Sequence, residues 1–308
     1  MMQNSIMPLL SALHRFRLWT RLSGAFLLLA LLASCSLGRI GYDHGDTIVY
    51  WWLNGYVDLD TSQRPWVRQR IDTLFAWHRR TQLKTYLPIF TDAQHDLDHE
   101  VTKDEVMRMY GDISKAVDRV AEQAAPDLAD LAMSLNYDNI DALKRKFDTT
   151  NRKFKKDYLD GDREERQEHR YKMVMEQAEY WFGDFSEEQE AAIRRASDAR
   201  PLNNELWVAD RIQRQQALLA LIEHIHREKL PHDAATALMK NYIAGNFLAR
   251  NESSPEMQAF FTQSKDALAQ LTVTIVNLAT PRQRAHAKEK LQDWIDDFNT
   301  LAAQPSSS

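Results

Sequence analysis

The sequence predicts an all-α protein, a multi-helix bundle or elongated helical array behind a flexible N-terminal tether, and two observations predict this class. Glycine is scarce: four of the nine glycines lie in the first 45 residues, which leaves five for the remaining 263. So few glycines do not supply the tight turns of a β protein. The prolines and glycines instead form widely spaced breaks, at intervals that suit helices joined by short loops.

The first predicted helix of the body begins at Asp60, an N-cap residue that is followed three positions later by Gln63. Apolar residues recur at helical spacing over the next four turns, and His78 falls on the same face. Because no nucleophile stands near it in the sequence, His78 is interpreted as a core histidine rather than a catalytic base.

The next helices follow from their start signals and breaks. A capping box at Thr102 predicts a helix that runs to about Ala125, and Pro126 is expected to begin another short helix. Asn136 begins a long helix whose apolar stripe is narrow, which is typical of a helix with few neighbours. In the second half, helices are predicted over 206–230, through the β-branched run 271–276, and from Thr280 onward.

Three helix starts share one form, an oxygen-bearing N-cap followed three residues later by glutamine: Asp60 with Gln63, Ser186 with Gln189, and Thr280 with Gln283. Good capping explains this repetition, since cap and glutamine satisfy each other's backbone N–H groups. The form is also similar to the Leu-Thr-x-x-Gln motif of small helical periplasmic chaperones. The third copy comes closest to that motif, although Ala279 interrupts it.

The N-terminal segment is typical of a secretory signal, with a basic region that contains three arginines and an apolar region over 25–32. The apolar region is shorter than the roughly 20 residues that span a bilayer. The run after it, formed by Leu32, Ala33, Ser34 and Cys35, resembles a bacterial lipobox. The resemblance implies cleavage before Cys35 and acyl chains on that cysteine, and Ser36 implies sorting to the outer membrane. An ordinary cleaved signal is the alternative, which Ser34 would also suit.

We therefore expect four segments: a lipoprotein signal peptide over 1–34, a lipidated tether over 35–46, a helical periplasmic domain over 47–302, and a disordered tail over 303–308. Without residues 1–34 the chain has 36 basic and 44 acidic side chains, a net charge of −8. This charge argues against nucleic acid as a partner. Lipid on Cys35 is the expected membrane attachment, because no other apolar run reaches spanning length.

An aromatic cluster over 50–56 contains two tryptophans and two tyrosines. So many aromatic side chains in seven residues require either burial against the body of the protein or contact with a partner. As a short helix it belongs to the core, and as a surface patch it suits the membrane interface, where Trp and Tyr are favoured. The sequence leaves both interpretations open.

Two groups of residues are candidates for a site. His95 and His99 place two imidazoles four residues apart on a predicted helical face, which is a weak pattern for a metal site because it offers no third ligand. A solvated acidic helix face is the plainer interpretation. The second group is a basic stretch that either binds an anionic surface or forms a solvated helix face: Lys144, Arg145, Lys146, Arg152, Lys153, Lys155 and Lys156.

A family resemblance rests on scattered positions along the mature chain: Asp58, Leu59, Asp60 and Gln63, then Trp77, His78, Arg79, Leu83 and Tyr86, and later Trp181, Phe182, Gly183, Asp184 and Gln189. These residues resemble an uncharacterised family of bacterial lipoproteins, domain of unknown function 6279. The resemblance implies no activity.

The sequence thus predicts a lipid-anchored outer-membrane lipoprotein that binds or scaffolds envelope proteins without catalysis and without a cofactor. A periplasmic chaperone or envelope-stress protein is one alternative. A metal-dependent hydrolase that uses His95 and His99 is the other.

Overall fold

The computed structural model describes residues 41–248 and 254–304, the side chains of 246–248 excepted. The described residues contain no strand, which confirms the all-α class. They form eleven α-helices and one short π-helix: α1 Gly45–Val57, α2 Gln63–Thr81, α3 Leu83–Asp96, α4 Lys103–Ser134, α5 Tyr137–Leu159, α6 Arg163–Phe182, α7 Glu187–Asp198, α8 Asn204–Glu228, α9 His232–Tyr242, the π-helix Ile243–Leu248, α10 Pro255–Leu278 and α11 Pro281–Ala303. None of these helices is long and apolar enough to cross a membrane.

Helix α4 is the central element, and its 32 residues extend about 48 Å. Its second half packs with α1, α2, α5, α8 and α9 around the largest core. Its first half packs with α3 and α10, and four smaller cores join this end to α6, α7 and α11. The helices therefore form two groups that share α4.

Small side chains hold α4 and α9 close together in the largest core. Ala125, Ala129 and Ala132 of α4 and Ala235 of α9 are all buried there. Because alanine adds little bulk between two helix axes, the backbones approach closely along this seam.

The expected break at Pro126 is wrong, since α4 continues through it from Lys103 to Ser134. A proline in a helix interior removes one hydrogen bond and costs about 3 kcal/mol. Ala125 and Ala129, on either side of the proline, are completely buried. The packing of these two turns offsets the local cost, so the tertiary contacts override the break that the sequence signals.

The packed body begins earlier than the composition of the expected tether indicates. Residues 41–43 are helical, and the buried Tyr42 makes a 2.8 Å hydrogen bond through its hydroxyl to His78 Nδ1. A Cβ atom at Gly45 would lie 2.7 Å from the Phe75 ring, so this glycine serves a close helix contact rather than a loose linker. The body thus begins by residue 42 rather than at 47.

The N-terminal part of the predicted tether, the signal peptide and the lipobox residues Leu32, Ala33, Ser34 and Cys35 lie outside the described residues. Residues 305–308 of the expected tail also lie outside them.

The capping glutamines hold distant helix starts together in two units that we call paired caps. In the first, which joins α2 to α5, Gln63 Nε2 donates to the carbonyl of Ser134 at 2.8 Å and to Asn139 Oδ1 at 3.1 Å. Asn139 Nδ2 in turn donates to the carbonyl of Asp58 at 2.9 Å. Each amide thereby caps its own helix through its oxygen and binds the other helix start through its nitrogen.

The second paired cap joins α7 to α11 in the same way. Gln189 Nε2 donates to the carbonyl of Leu278 at 2.7 Å, and Gln283 Nε2 donates to the carbonyl of Asp184 at 2.7 Å. The two side chains also bond to each other at 2.9 Å. In both units, each amide bonds to the carbonyl two residues before the first member of the opposite reciprocal pair (Asp60, Asn136, Ser186 or Thr280), so the two units have the same local design.

The predicted capping boxes at Ser186 and Thr280 are confirmed. Asp60 and Gln63 make the same reciprocal bonds, but the N-cap of α2 is Ser62 rather than Asp60. All three glutamines belong to a paired cap. A fourth member, Asn136 with Asn139, has the same geometry but carries asparagine where the others carry glutamine. Because asparagine stands in place of glutamine, the repeated glutamine-containing form in the sequence does not include this start.

Candidate functional site

A cleft of about 1510 Å³ lies between the two groups of helices. Residues of α1, α4, α5, α6, α8, α9 and α10 line it, and most are aliphatic or aromatic, among them Phe147, Phe154, Trp207, Phe261, Leu268 and Leu271. Trp52, Leu128 and Leu268 line the cleft and remain more than a third exposed, so the cleft reaches the surface beside them. It exceeds the roughly 300–1,000 Å³ of pockets that hold drug-sized ligands.

The narrow stripe of α5 accounts for one wall of this cleft. Leu143, Phe147, Phe154 and Tyr158 recur along one face of the helix and line the cleft. The helix packs against α1 and α8. A stripe that is too narrow for a fully surrounded helix thus belongs to a helix that packs on two neighbours and lines open space.

Positive charge dominates the polar part of the lining. Six basic residues line the cleft: Arg166, Arg170, Arg200, Arg211, Arg214 and Lys265. Only three acidic residues line it: Asp157, Asp160 and Glu165. The arginines come from α6, from the connection before α8, and from α8 itself. This excess of cations in an apolar cleft favours an anionic group on any ligand.

Three of these arginines have unsatisfied donors. The Nε atoms of Arg166, Arg170 and Arg200 are buried, and they donate no hydrogen bond within the described part of the chain. Buried polar groups are almost always hydrogen-bonded, and an unpaired buried donor costs free energy. The structure thus leaves three buried guanidinium donors at the cleft without an acceptor.

Arg170 and Arg200 form the least neutralised pair. Arg170 Nη1 donates to the carbonyl of Pro201 at 2.9 Å. Among the described residues, no carboxylate oxygen lies within 4 Å of either guanidinium. Burial, with the nearby Arg200 charge as a second cause, lowers the pKa of Arg170 to about 10. Burial also lowers the pKa of Arg200. An oxyanion between them would relieve both desolvation and mutual repulsion.

The other arginines of the cleft have partners that hold them in place. Arg214 Nη2 lies 2.8 Å from Oδ2 of the buried Asp210, and Arg166 Nη1 lies 2.8 Å from Glu205 Oε1. Arg211 Nε donates to Asn151 Oδ1 at 2.8 Å. These contacts fix three guanidinium groups on the cleft wall before any ligand enters.

The predicted metal pair is not assembled. Helix α3 ends at Asp96, so His95 lies in its last turn and His99 lies beyond its C-cap. The two imidazoles therefore do not share a helical face as their spacing predicts. His99 instead approaches Asp96 and Glu105, with one atom from each within 4.8 Å of the others, and His95 is not part of this group. Glu105 is already engaged in the capping box of α4, and His99 is exposed.

The predicted basic stretch lies on α5, away from its cleft-lining stripe. All seven side chains are exposed except Lys146, which is half-buried. Lys144 Nζ forms an ion pair with Glu223 at 2.9 Å, and Lys146 Nζ lies 5.5 Å from the centre of the Tyr56 ring. Both predictions for this stretch, a site for an anionic surface and a solvated helix face, require such exposed side chains and stay predictions, and the stretch adjoins α1 at Lys146.

His78 is a core histidine, as its position on the apolar face of α2 predicts. Its ring is buried, and both nitrogens are bonded at 2.8 Å, Nδ1 to the Tyr42 hydroxyl and Nε2 to the Tyr86 hydroxyl. Burial lowers the pKa of His78 to about 4. The imidazole therefore links three helical segments in its neutral form.

The fold and the cleft together define an all-α protein with a cationic apolar cleft between two groups of helices. The chain belongs to the Family of unknown function (DUF6279), whose model matches residues 55–244, more than half of the sequence. This confirms the family resemblance. Comparison with curated proteins and with solved structures gave no match. The likeness to Leu-Thr-x-x-Gln chaperones is not shown and stays a prediction.

Sequence reasoning missed the cleft arginines, because they come from three separate segments. A local signal exists on α8, where Arg211 and Arg214 fall between Trp207 and Leu218 at helical spacing. Charged residues inside an otherwise apolar stripe indicate a helix face that is neither packed in the core nor fully exposed to solvent. That pattern marks the α8 wall, whereas the approach of Arg170 and Arg200 requires the tertiary fold.

Proposed function

We propose that this protein is a lipid-anchored outer-membrane lipoprotein that binds an amphipathic ligand in its cleft, one with a long apolar chain and an anionic head group. The observation that carries the proposal is the set of buried arginine donors in an apolar cleft. Apolar surface of this extent marks a binding site rather than a packed interior.

The arginines supply the head-group part of the proposal. A guanidinium presents several N–H donors in a rigid fork that matches a carboxylate or phosphate. Arg170 and Arg200 have a free Nε each and no carboxylate partner among the described residues. A ligand oxyanion placed between them would receive charge-assisted hydrogen bonds and satisfy donors that the protein itself leaves unpaired.

The apolar walls supply the chain part. Phe147, Phe154 and Leu143 line one side of the cleft, and Trp207, Phe261 and Leu271 belong to its other helices. An extended hydrocarbon chain would cover these side chains over several helical turns. Burial of apolar area stabilises such a complex by roughly 25 cal/mol per Å² before the costs of association.

Among the alternatives, the metal-dependent hydrolase lacks its predicted pair of ligands, because His95 is not part of the group formed by Asp96, His99 and Glu105. A chaperone would use the same cleft for an apolar client segment. The head-group preference separates these two kinds of ligand, since a client segment does not depend on one anion at Arg200.

The proposal is tested with a fluorescent long-chain fatty acid and the alcohol of the same chain length. We expect the acid to bind about tenfold or more tightly, because only its carboxylate pairs with the arginines. Arg200→Met should remove most of this preference without lowering stability, since it deletes a buried charge that lacks a carboxylate partner. Ala121→Trp, which adds bulk to the lining on α4, should weaken both probes.

The matched control is Arg282→Met, an exposed arginine of α11 outside the cleft. This variant should bind both probes like the wild type. Equal affinity for acid and alcohol, or an equal effect of Arg282→Met and Arg200→Met, would contradict the proposal. Suppression of aggregation of an unfolded client that the fatty acid does not compete away would favour the chaperone instead.

A further inference from the structure

The aromatic cluster of α1 divides between the two faces of the helix. Tyr50 and Val57 are buried in the largest core, at 2% and 4% exposure. Ile48, Trp51 and Trp52 point outward, with 39%, 60% and 39% of their surface exposed. The cluster is therefore partly core and partly exposed, because the same helix contributes to the core and presents an apolar outer face.

The outer face of α1 is defined by Ile48, Trp51, Trp52 and Gly55, none of which is charged. These four positions share one side of the helix at the spacing of 3, 4 and 7 residues. The carboxylate of Asp72 on α2 interacts with Asp46 of α1 and with Arg68 beside this face. Two exposed indoles side by side are costly to leave in water, and Trp is favoured where a bilayer meets water. The face has the composition of a surface that meets a membrane interface.

Two cations flank this face on neighbouring helices. The exposed Arg68 of α2 lies over the Tyr50 ring at 3.5 Å and lies 5.7 Å from the centre of the Trp51 ring. Lys146 of α5 lies beside Tyr56 at 5.5 Å. Cations at the rim of an aromatic patch meet anionic head groups while the rings enter the interface.

The chain between the proposed anchor and this face is short. Only residues 36–40 separate Cys35 from the described body, which begins at 41. At most about 3.6 Å per residue, the lipidated cysteine lies within roughly 20 Å of the start of the body. Helix α1 is the first long helix after that point, so the anchor holds its outer face near the bilayer.

We infer that the outer face of α1, with Arg68 and Lys146, docks on an anionic membrane surface. The inference rests on the proposed function for the anchor that brings the face to the bilayer. Trp52 belongs to this face and also lines the cleft. Docking therefore places one opening of the cleft at the membrane, where an amphipathic ligand passes between bilayer and cleft without crossing water.

The test uses a chain that begins at residue 36, which retains every described helix but has no acyl chain. Its binding to vesicles that contain phosphatidylglycerol is compared with its binding to vesicles of phosphatidylcholine alone. We expect stronger binding to the anionic vesicles and weakening by salt. Trp51→Ser should lower the affinity about tenfold, and Arg68→Gln about fivefold.

The matched controls are Tyr137→Ser, which removes an aromatic ring that is 89% exposed at the start of α5, and Arg282→Gln, which removes an exposed cation of α11. Both should bind vesicles like the parent chain. Ala121→Trp should also bind vesicles normally, since it alters the cleft rather than the outer face. Thermal unfolding checks that each variant is folded.

The inference is overturned if the parent chain does not prefer anionic vesicles, or if Tyr137→Ser weakens binding as much as Trp51→Ser. The anchor and the cleft ligand are measured separately, by acyl labelling in cells and by fatty-acid binding. If both of those succeed while Trp51→Ser leaves vesicle binding unchanged, the docking face alone is wrong. If they fail while Trp51→Ser weakens vesicle binding, the docking face is supported and the proposed function is wrong.

Discussion

At the scale of single residues, His78 shows how burial controls protonation. A neutral imidazole has one N–H and one acceptor nitrogen, and the hydroxyls of Tyr42 and Tyr86 complement both. A second proton on the ring would remove its acceptor and place a charge among buried aromatic rings. The same burial raises the pKa of Tyr86 to about 12, so all three groups are held neutral.

The stability of the protein should therefore fall in mild acid. The pKa of His78 is about 4 in the folded state against an ordinary 6.5, so the unfolded state binds more protons between these values. Stability is lost as pH falls from 6.5 to about 4, by up to roughly 3 kcal/mol from this group. His78→Gln removes this titration while it keeps a donor and an acceptor.

The measurement is the free energy of unfolding in denaturant at about pH 7 and about pH 4.5. The difference between the two values should be smaller in His78→Gln than in the wild type. His95→Gln, which replaces an exposed histidine, serves as the control and should retain the difference of the wild type. An unchanged difference in His78→Gln would show that other groups cause the acid sensitivity.

At the scale of elements, the paired caps convert a local signal into a tertiary contact. A capping amide ordinarily stabilises only its own helix, by about 1 kcal/mol. Here Gln189 and Gln283 also bond to carbonyls 89 and 99 positions away in sequence. The starts of α7 and α11 are thus fixed against each other, and α2 and α5 are fixed in the same manner.

Gln283→Ala should lower the free energy of unfolding by about 2 kcal/mol, because it removes a cap and leaves the carbonyl of Asp184 without that donor. In the double variant with Gln189→Ala the losses should be less than additive by about 1 kcal/mol, since the two side chains bond to each other. Combination with Gln63→Ala, from the other paired cap, should be additive. Additivity in both pairs would contradict the design described for the paired caps.

At the scale of the whole molecule, the cleft exists because two groups of helices share α4 without closing fully on each other. The apolar stripes of α5 and α8 contribute some side chains to the largest core, and they also line the cleft. The cationic lining of the cleft and the outer face of α1 both belong to a body that the proposed anchor holds near a membrane.

The anchor itself is tested by Cys35→Ala. We expect the wild-type chain to take up labelled palmitate in cells and to fractionate with the outer membrane, because several acyl chains on one residue form a stable anchor. Cys35→Ala should lose the label. Label that persists in this variant, or a wild type that fractionates as a soluble protein, would show that the lipobox is misread. Arg282→Met, far from the lipobox in sequence, is the control and should retain the label.

The class, the starts of about half of the helices and the core histidine follow from local patterns in the chain. Capping boxes and the helical spacing that places His78 on the apolar face of α2 are set within four residues along the chain, so they can be recognised before the fold is known. The predicted helix break at Pro126 was wrong because it depends on tertiary packing. The burial of Ala125 and Ala129 outweighs the local free-energy cost of the proline.

Three features depend on the tertiary structure: where each apolar stripe packs, which distant caps pair and which arginines lie close together. Gln189 and Gln283 are 94 residues apart, and Arg170 meets Arg200 across two helices and a connection. Contacts of this kind depend on how the helices are arranged around α4, and no short pattern encodes that arrangement. The physical reason is the distance along the chain over which each interaction acts. Interactions between residues a few positions apart decide where helices begin, whereas the summed burial of side chains that are distant in sequence decides where the site forms.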